Sequence, residues 1–440
     1  MPPTTRLRRV GLMENYHISL AHLKLDSCVV SAAKYTRQDG AALSADVLFP
    51  ALRTLVETHA ALGLQIEGNE ATSRVFFVRL PSVDLARVVE FSGRGSVQEA
   101  FARHLARQFA TQGALPLWRV EVLAENVVVF AVHHAVGDGL SSTAFHLSLF
   151  RALQEDAHRD AAPVVHVPTT LALLPPIEGR TNVRPSLRTL YREAAASLLP
   201  VSWRKLGSAW SGRPVPSSPT FAAHVRLLSL PAAEVAPVLA ACRAHHASLT
   251  AAVYDLSISL LSRMLASDPA RYKYISALVA IALRSAAGVG PEAICDYPSS
   301  WQFFAPVRAA FSWAEAARTA RTLQGLKTRA RERVGMLRFL FGRVGPYHES
   351  RIGAKRECAF SLSNVGRVEA PVAAGAWSVG EIFFAQSDAG VGPAFTINVV
   401  GDPTGGLNIS FAWGESNIEE EFIESFISQF PEAFRAIVSA

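Results

Sequence analysis

The sequence predicts a mixed α/β fold in two similar halves, and three observations carry that expectation. Apolar runs of strand length alternate with segments of helical period. A proline-rich stretch, residues 155–220, interrupts the chain near its middle. The alternation of strands and helices then begins again. The division is a first half over 1–160, a crossover linker over 161–220 and a second half over 221–440.

Residues 46–63 (DVLFPALRTLVETHAALG) set apolar side chains at helical spacing and end on Gly63, which predicts a helix with a glycine cap. Residues 73–80 are β-branched and aromatic, a strand that Pro81 stops. A helix over 98–110 and a strand over 118–123 follow. Residues 127–132 (VVVFAV) are apolar throughout, as in a strand buried on both faces of a sheet. A loop, His133 to Gly139, leaves this strand directly. Residues 140–154 then read as an amphipathic helix with Ser141 and Ser142 near its start as caps.

Beyond the linker the pattern gives a strand at 224–229, helices near 232–244 and 249–265, and a strand at 274–283. Strands near 358–363, 380–385, 394–400 and 407–413 precede a closing helix at 418–437.

With 440 residues, 50% of them hydrophobic and 18% charged, the chain can bury a large core, which excludes a disordered or repeat protein. Its four cysteines, Cys28, Cys242, Cys295 and Cys358, stand singly. That spacing predicts reduced thiols in a cytoplasmic protein and no metal site. The opening MPPTTRLRRV lacks the apolar core of a secretory signal, and no run is long enough to cross a bilayer. A mean hydropathy of +0.20 leaves peripheral membrane contact open. We expect a monomer. Residues 318–357 hold eleven Lys/Arg against three Glu, a face suited to a nucleotide phosphate. Aromatic residues are not interleaved with these cations at strand spacing, so no nucleic-acid partner is expected.

The chemistry points to His133-His134-Ala135-Val136-Gly137-Asp138-Gly139, between a buried strand and a helix start. Loops at such strand ends are where α/β proteins place reactive side chains. An alcohol that attacks a thioester must lose a proton as the C–O bond forms, and imidazole titrates near neutrality. Gly137 and Gly139 are expected to let the backbone turn and to leave room for substrate. Asp138, on the same loop, is expected to brace it by a salt bridge. Two other patterns are set aside. His245-His246 lacks a following Asp-Gly and reads as a turn between helices, and Gly288-Val289-Gly290 is not a dinucleotide fingerprint.

HHAVGDG resembles the HHxxxDG signature of the chloramphenicol acetyltransferase-like acyltransferases. Pro116-Leu117-Trp118-Arg119, Arg9 to Tyr16 (RVGLMENY), Ser363-Asn364-Val365-Gly366 and Phe411-Ala412-Trp413-Gly414 are similar to flanking segments of that superfamily, most of all to those of fungal alcohol acetyltransferases. The plant-branch DFGWG element has no matching Asp in FAWGES.

The resemblance implies two similar α/β domains with a tunnel at their interface and direct transfer from acyl-CoA, most readily acetyl-CoA, as a co-substrate, with no bound cofactor expected. By the same resemblance His134 is the base and His133 structural, and Asp138, the second catalytic residue, forms a bidentate pair with Arg284, which follows a strand of the second half, with Gly139 in support. Oxyanion or substrate candidates are Ser363, Asn364, Thr396, Asn398 and Trp413, since a tetrahedral intermediate needs a donor at its oxygen. Arg321, Lys327 and Arg329 are candidates for CoA. The implied reaction is O-acylation, most readily acetylation, of a small alcohol or secondary metabolite such as a terpenoid. The alternatives are a condensation-type enzyme fed by a carrier-protein thioester, and a non-catalytic binder, for which an intact HHAVGDG has no use.

Overall fold

The computed structural model describes residues 5–72, 74–155, 161–200, 203–218, 223–266, 271–370, 377–387 and 390–440, without the side chains of Ser197 and Lys327. Its architecture is mixed α/β, with one large sheet in each half.

The first sheet has the order Trp377–Gln386, Cys28–Arg37, Val127–His133, Trp118–Val122, Val89–Phe91. Val127–His133 lies at its centre, antiparallel to both neighbours. Its uniform apolarity follows from two covered faces. Phe130 and Val132 pack with Phe145 and Leu149 of the helix Gly139–Gln154, the Phe130 and Phe145 rings stacked at 3.7 Å. Val129 and Ala131 meet Ala100, Phe101 and Leu105 of the helix Val97–Ala106.

The second sheet runs Ala209–Trp210, Tyr274–Ala282, Phe360–Arg367, Phe395–Gly401, Leu407–Gly414, Ala223–Leu230, with Pro298–Pro306 antiparallel to Tyr274–Ala282. Its three central strands, Tyr274–Ala282, Phe360–Arg367 and Phe395–Gly401, are parallel. Phe395 and Phe411 pack there against Phe426 and Phe430 of the closing helix Glu420–Ala436.

The two sheets do not follow the two halves of the chain strictly. Trp377–Gln386 belongs to the second half by sequence, yet it forms the edge of the first sheet by antiparallel pairing with Cys28–Arg37. Asn408 and Ser410 of the second sheet donate to the Ile382 and Phe384 carbonyls of that strand, at 2.9 and 2.7 Å. One strand therefore fastens the halves together.

The proline-rich segment lies along the body. Val164–His166 pairs with Ser82–Asp84, and Val165, Val167, Ile177 and Val183 are buried. Its helix Leu187–Leu198 leaves Leu187, Tyr191 and Leu198 exposed. No helix among the described residues is long and apolar enough to cross a membrane. All four cysteines are buried and free.

Some expectations shift. The helix expected over 46–63 is Ala45–Thr58, followed by a 3-10 turn Ala60–Gly63 and an unforeseen strand, Leu64–Asn69. Gly63 is needed for space: a Cβ there would lie 2.5 Å from Val167. The helix expected over 98–110 ends at Ala106. Ser73, at the start of the strand expected over 73–80, lies outside the described residues, and the strand is Arg74–Arg79.

Phe384, buried on the shared strand, tests this arrangement. Phe384→Ala should cost about 3–5 kcal/mol, as large-to-small core changes do. Denaturant unfolding checks it; a loss under about 1 kcal/mol would mean that the strand contributes little to the core.

Candidate active site

The loop His133 to Gly139 begins where the central strand ends and stops at the N-cap of the following helix. The cap is Asp138, not the serines: its Oδ1 accepts from the Ser141 N–H at 2.9 Å. Ser141 reciprocates, its Oγ accepting from the Asp138 N–H at 3.1 Å. Ser142 instead donates to the Gly139 carbonyl at 2.7 Å.

Arg284 lies just beyond Tyr274–Ala282, and its Nη2 reaches Asp138 Oδ1 at 2.5 Å, with both side chains buried. The contact is single rather than bidentate. Nη1 donates to the Pro291 and Ala293 carbonyls, while Asp138 Oδ2 accepts from the Tyr297 N–H at 3.4 Å. The turn after Arg284 closes on Gly288 at φ +63°, a conformation that favours glycine. Gly139 leaves no room for substrate: a Cβ there would lie 3.0 Å from Val365 and 3.2 Å from Phe384, so the helix start packs against both strands.

Asp138 is thus engaged by the cap and by Arg284. The carboxylate facing His134 is Asp296, which the sequence reading missed. Asp296 Oδ1 lies 3.6 Å from His134 Nδ1 and 3.7 Å from His17 Nε2. That spacing is an electrostatic pairing, longer than a hydrogen bond. The His17 and His134 rings stack at 3.7 Å and 4°. Asp26 Oδ2 lies 3.7 Å from His17 Nδ1 at the far end. His17 comes from the helix Leu12–His22, which is held by paired hydrogen bonds between Arg8 and Glu14 at 2.8 and 2.7 Å.

Burial acts to push the His134 pKa down. The Asp296 carboxylate, by contact and by charge, and Asp26 outweigh it, and hold the pKa up at about 9. His133 has no carboxylate within ion-pair reach among the described residues, and the charge of Asp26 does not offset its burial. Burial pushes it down to about 3, and its Nδ1 accepts from the Ala135 N–H at 3.1 Å, which suits a structural, neutral ring. Burial also acts to raise Asp26, but His17 and the charge of His134 prevail and lower it.

One atom from each of His17, His134 and Asp296 falls within 4.8 Å of the others, a span that a metal ion could bridge. The imidazole lone pairs, however, lie in two nearly parallel planes and do not converge on one centre. We read the trio as an acid–base cluster.

His134 borders a cavity of about 170 Å³ lined from both halves, by Tyr16, His17, Leu20 and Asp26 and by Leu278, Arg351, Glu357, Ser361, Ser387 and Thr396 among others. Thr396 is the one oxyanion or substrate candidate on this wall. Ser363 does not line it, and Asn364 is occupied by Thr250 at 3.1 Å. Asn398 donates to Thr396 and Ser410, both at 3.1 Å. Trp413 is buried against His224, the rings 5.5 Å apart. Ser361, two residues before Ser363 on the same strand, does line the cavity. Arg321 and Arg329 are exposed on the helix Trp313–Met336; the Lys327 side chain lies outside the described residues.

Removing either partner of a buried ion pair strands the other charge. Asp138→Ala and Arg284→Ala should each cost about 3–5 kcal/mol, and the double variant much less than the sum. Denaturant unfolding of the three variants checks this; strict additivity would mean that the two side chains do not act together.

The family model described as alcohol acetyltransferase matches residues 9–265 and 345–434. A probable alcohol acetyltransferase, crmB, of Aspergillus fumigatus is 25% identical, the match covering 94% of this chain and 93% of the relative. Another, FCK4, of Fusarium pseudograminearum is 24% identical over 81% and 79%. Among solved structures, the first condensation domain of the calcium-dependent antibiotic synthetase aligns with a TM-score of 0.67 at 18% identity, covering 100% of this chain and 98% of that one. The TRI3 trichothecene 15-O-acetyltransferase of Fusarium sporotrichioides aligns at 0.65 and 12% identity, covering 97% and 94%. The fold is therefore that of the condensation-type acyltransferases, and the chain is an acyltransferase that belongs to the alcohol acetyltransferase family.

Proposed function

We propose that the protein transfers an acyl group, acetyl before others, from acyl-CoA to the hydroxyl of a small alcohol or secondary metabolite such as a terpenoid. The observation that carries this reading is an imidazole on the wall of a cavity between the halves, with a buried carboxylate against its Nδ1. Nε2 is then the nitrogen offered to substrate. The relatives named alcohol acetyltransferase, and the structural likeness to an O-acetyltransferase, favour an oxygen acceptor.

In this mechanism the alcohol oxygen attacks the thioester carbonyl as His134 takes its proton. The tetrahedral oxyanion draws a hydrogen bond from a hydroxyl on the cavity wall, for which Thr396 and Ser361 are the candidates. Collapse breaks the C–S bond, and His134 returns the proton to the leaving sulfur, giving ester and free CoA. No acyl-enzyme forms, and acyl-CoA is a co-substrate rather than a resident cofactor. Arg321 and Arg329, with Lys327, are our candidates for the CoA phosphates. A second reading, transfer from a carrier-protein thioester, draws on the likeness to condensation domains.

Free thiol released from acetyl-CoA in the presence of mixed alcohols tests the reaction, with an acyl-loaded carrier protein as the competing donor. His134→Ala should lower kcat by roughly 10²–10⁴, the usual share of a general base. Retention of more than about a tenth of the wild-type rate would contradict this role. Arg321→Ala and Arg329→Ala should raise KM for acyl-CoA and leave that for the alcohol alone, less so in high salt. Unchanged values would make this a solvated face.

The base works deprotonated. Its pKa of about 9 means that activity should rise with pH well above the ordinary histidine range near 6.5. The same proton stabilises the fold fully below about pH 6.5, a contribution lost as pH rises through about 9. A kcat/KM profile flat above pH 7 would contradict the assignment.

A further inference from the structure

The transfer reaction as written has no use for His17 or Asp26, yet both are buried against the base. His17 is set between two carboxylates, Asp26 at 3.7 Å from its Nδ1 and Asp296 at 3.7 Å from its Nε2. Neither ring nitrogen has a hydrogen-bond partner among the described residues, and neither Asp296 oxygen has one. Asp26 is aimed from behind: its Oδ1 accepts from the Ser27 N–H at 2.8 Å and from the Ser387 hydroxyl. Tyr16 meets the His17 ring edge-on at 5.5 Å and His348 at 4.6 Å.

We propose that His17 is a positioning residue for the base: stacked on His134, it fixes the plane of that ring and, with Asp26, divides the negative charge of the site so that His134 can release its proton. This rests on His134 being the base of the proposed reaction.

Two stacked imidazoles this close cannot both be charged cheaply, so the charges around His17 bear on the proton that His134 carries. If His17 is absent, Asp296 and Asp26 both act on His134 alone and hold its proton more tightly. If Asp26 is neutralised, the pair loses an anion and binds its proton less tightly. The other titratable or charged groups around His17 are Tyr16 on its own helix, His133 and His134 on the catalytic loop, and His348. Across the cavity, Arg351 and Glu357 are paired with each other at 2.5 Å. Only the two carboxylates are within ion-pair reach of the His17 nitrogens among the described residues.

The test is a pH titration of the full chain with labelled histidine rings, read by NMR, beside kcat/KM against pH. His17→Phe keeps a flat ring for stacking and removes both nitrogens. It should move the His134 midpoint and the ascending limb up, by about one pH unit, a tenfold fall in rate at fixed pH below the midpoint. Asp26→Asn should move both down. Should His17→Phe fail to fold, His17→Gln should give the same upward shift. A midpoint unmoved in these variants, or moved the same way in both, would overturn the inference, whatever happens to kcat. The NMR titration does not need turnover. Wild-type protein inactive with every thioester and alcohol would contradict the proposed reaction, while the ring titration would still decide the role of His17.

Discussion

Everything at the site hangs on one carboxylate. Asp138 caps the helix that follows the loop His133 to Gly139 and meets Arg284 from the other half of the chain. Arg284 in turn holds the carbonyls of Pro291 and Ala293, while the Asp138 N–H donates to the Cys295 carbonyl at 3.2 Å and Tyr297 donates back to Asp138. The segment 293–297 is therefore fixed by the same ion pair that shapes the loop, and that segment carries Asp296 to His134. A buried charge must be paired, and here the pairing serves as the positional reference for His134 and Asp296 alike.

The sheets supply the frame. The central strand, buried on both faces, fixes where His133 and His134 emerge, and successive residues on a strand point to opposite faces. His133 accordingly ends in the core beside Phe109, with ring centres 6.1 Å apart, while His134 reaches the cavity. The strand Trp377–Gln386, paired in one sheet and hydrogen-bonded to the other, brings the Gln386–Ser387 end to the same cavity. Ser387 there meets Asp26, so the shared strand reaches the acid–base cluster as well.

The motif and its place at the end of a buried strand were legible because both are local, while the Asp138–Arg284 contact was implied by the family resemblance alone. The carboxylate that faces His134 was not legible. Asp296 lies 162 positions from His134 in sequence and sits in CDYPSS, where neither spacing nor periodicity distinguishes it. His17 belongs to no motif that the sequence singles out, and only packing stacks it on His134. The strand Cys28–Arg37 escaped notice because Ser31, Ala32 and Ala33 at its middle have weak β preference. Gly139 could be read as a residue that makes space, but whether substrate or protein fills that space is a matter of tertiary packing. Strand alternation puts Ser361 and Ser363 on one face, and the sequence does not say which one reaches the cavity.

The central claim is that a buried carboxylate, Asp296, tunes a histidine base within reach of the alcohol. The pH dependence of kcat/KM in Asp296→Asn tests it most directly. Losing the carboxylate removes the main force holding the proton on His134, so the ascending limb should move to lower pH while His134 remains essential. A limb that stays at the wild-type pH, or moves higher, would contradict the account.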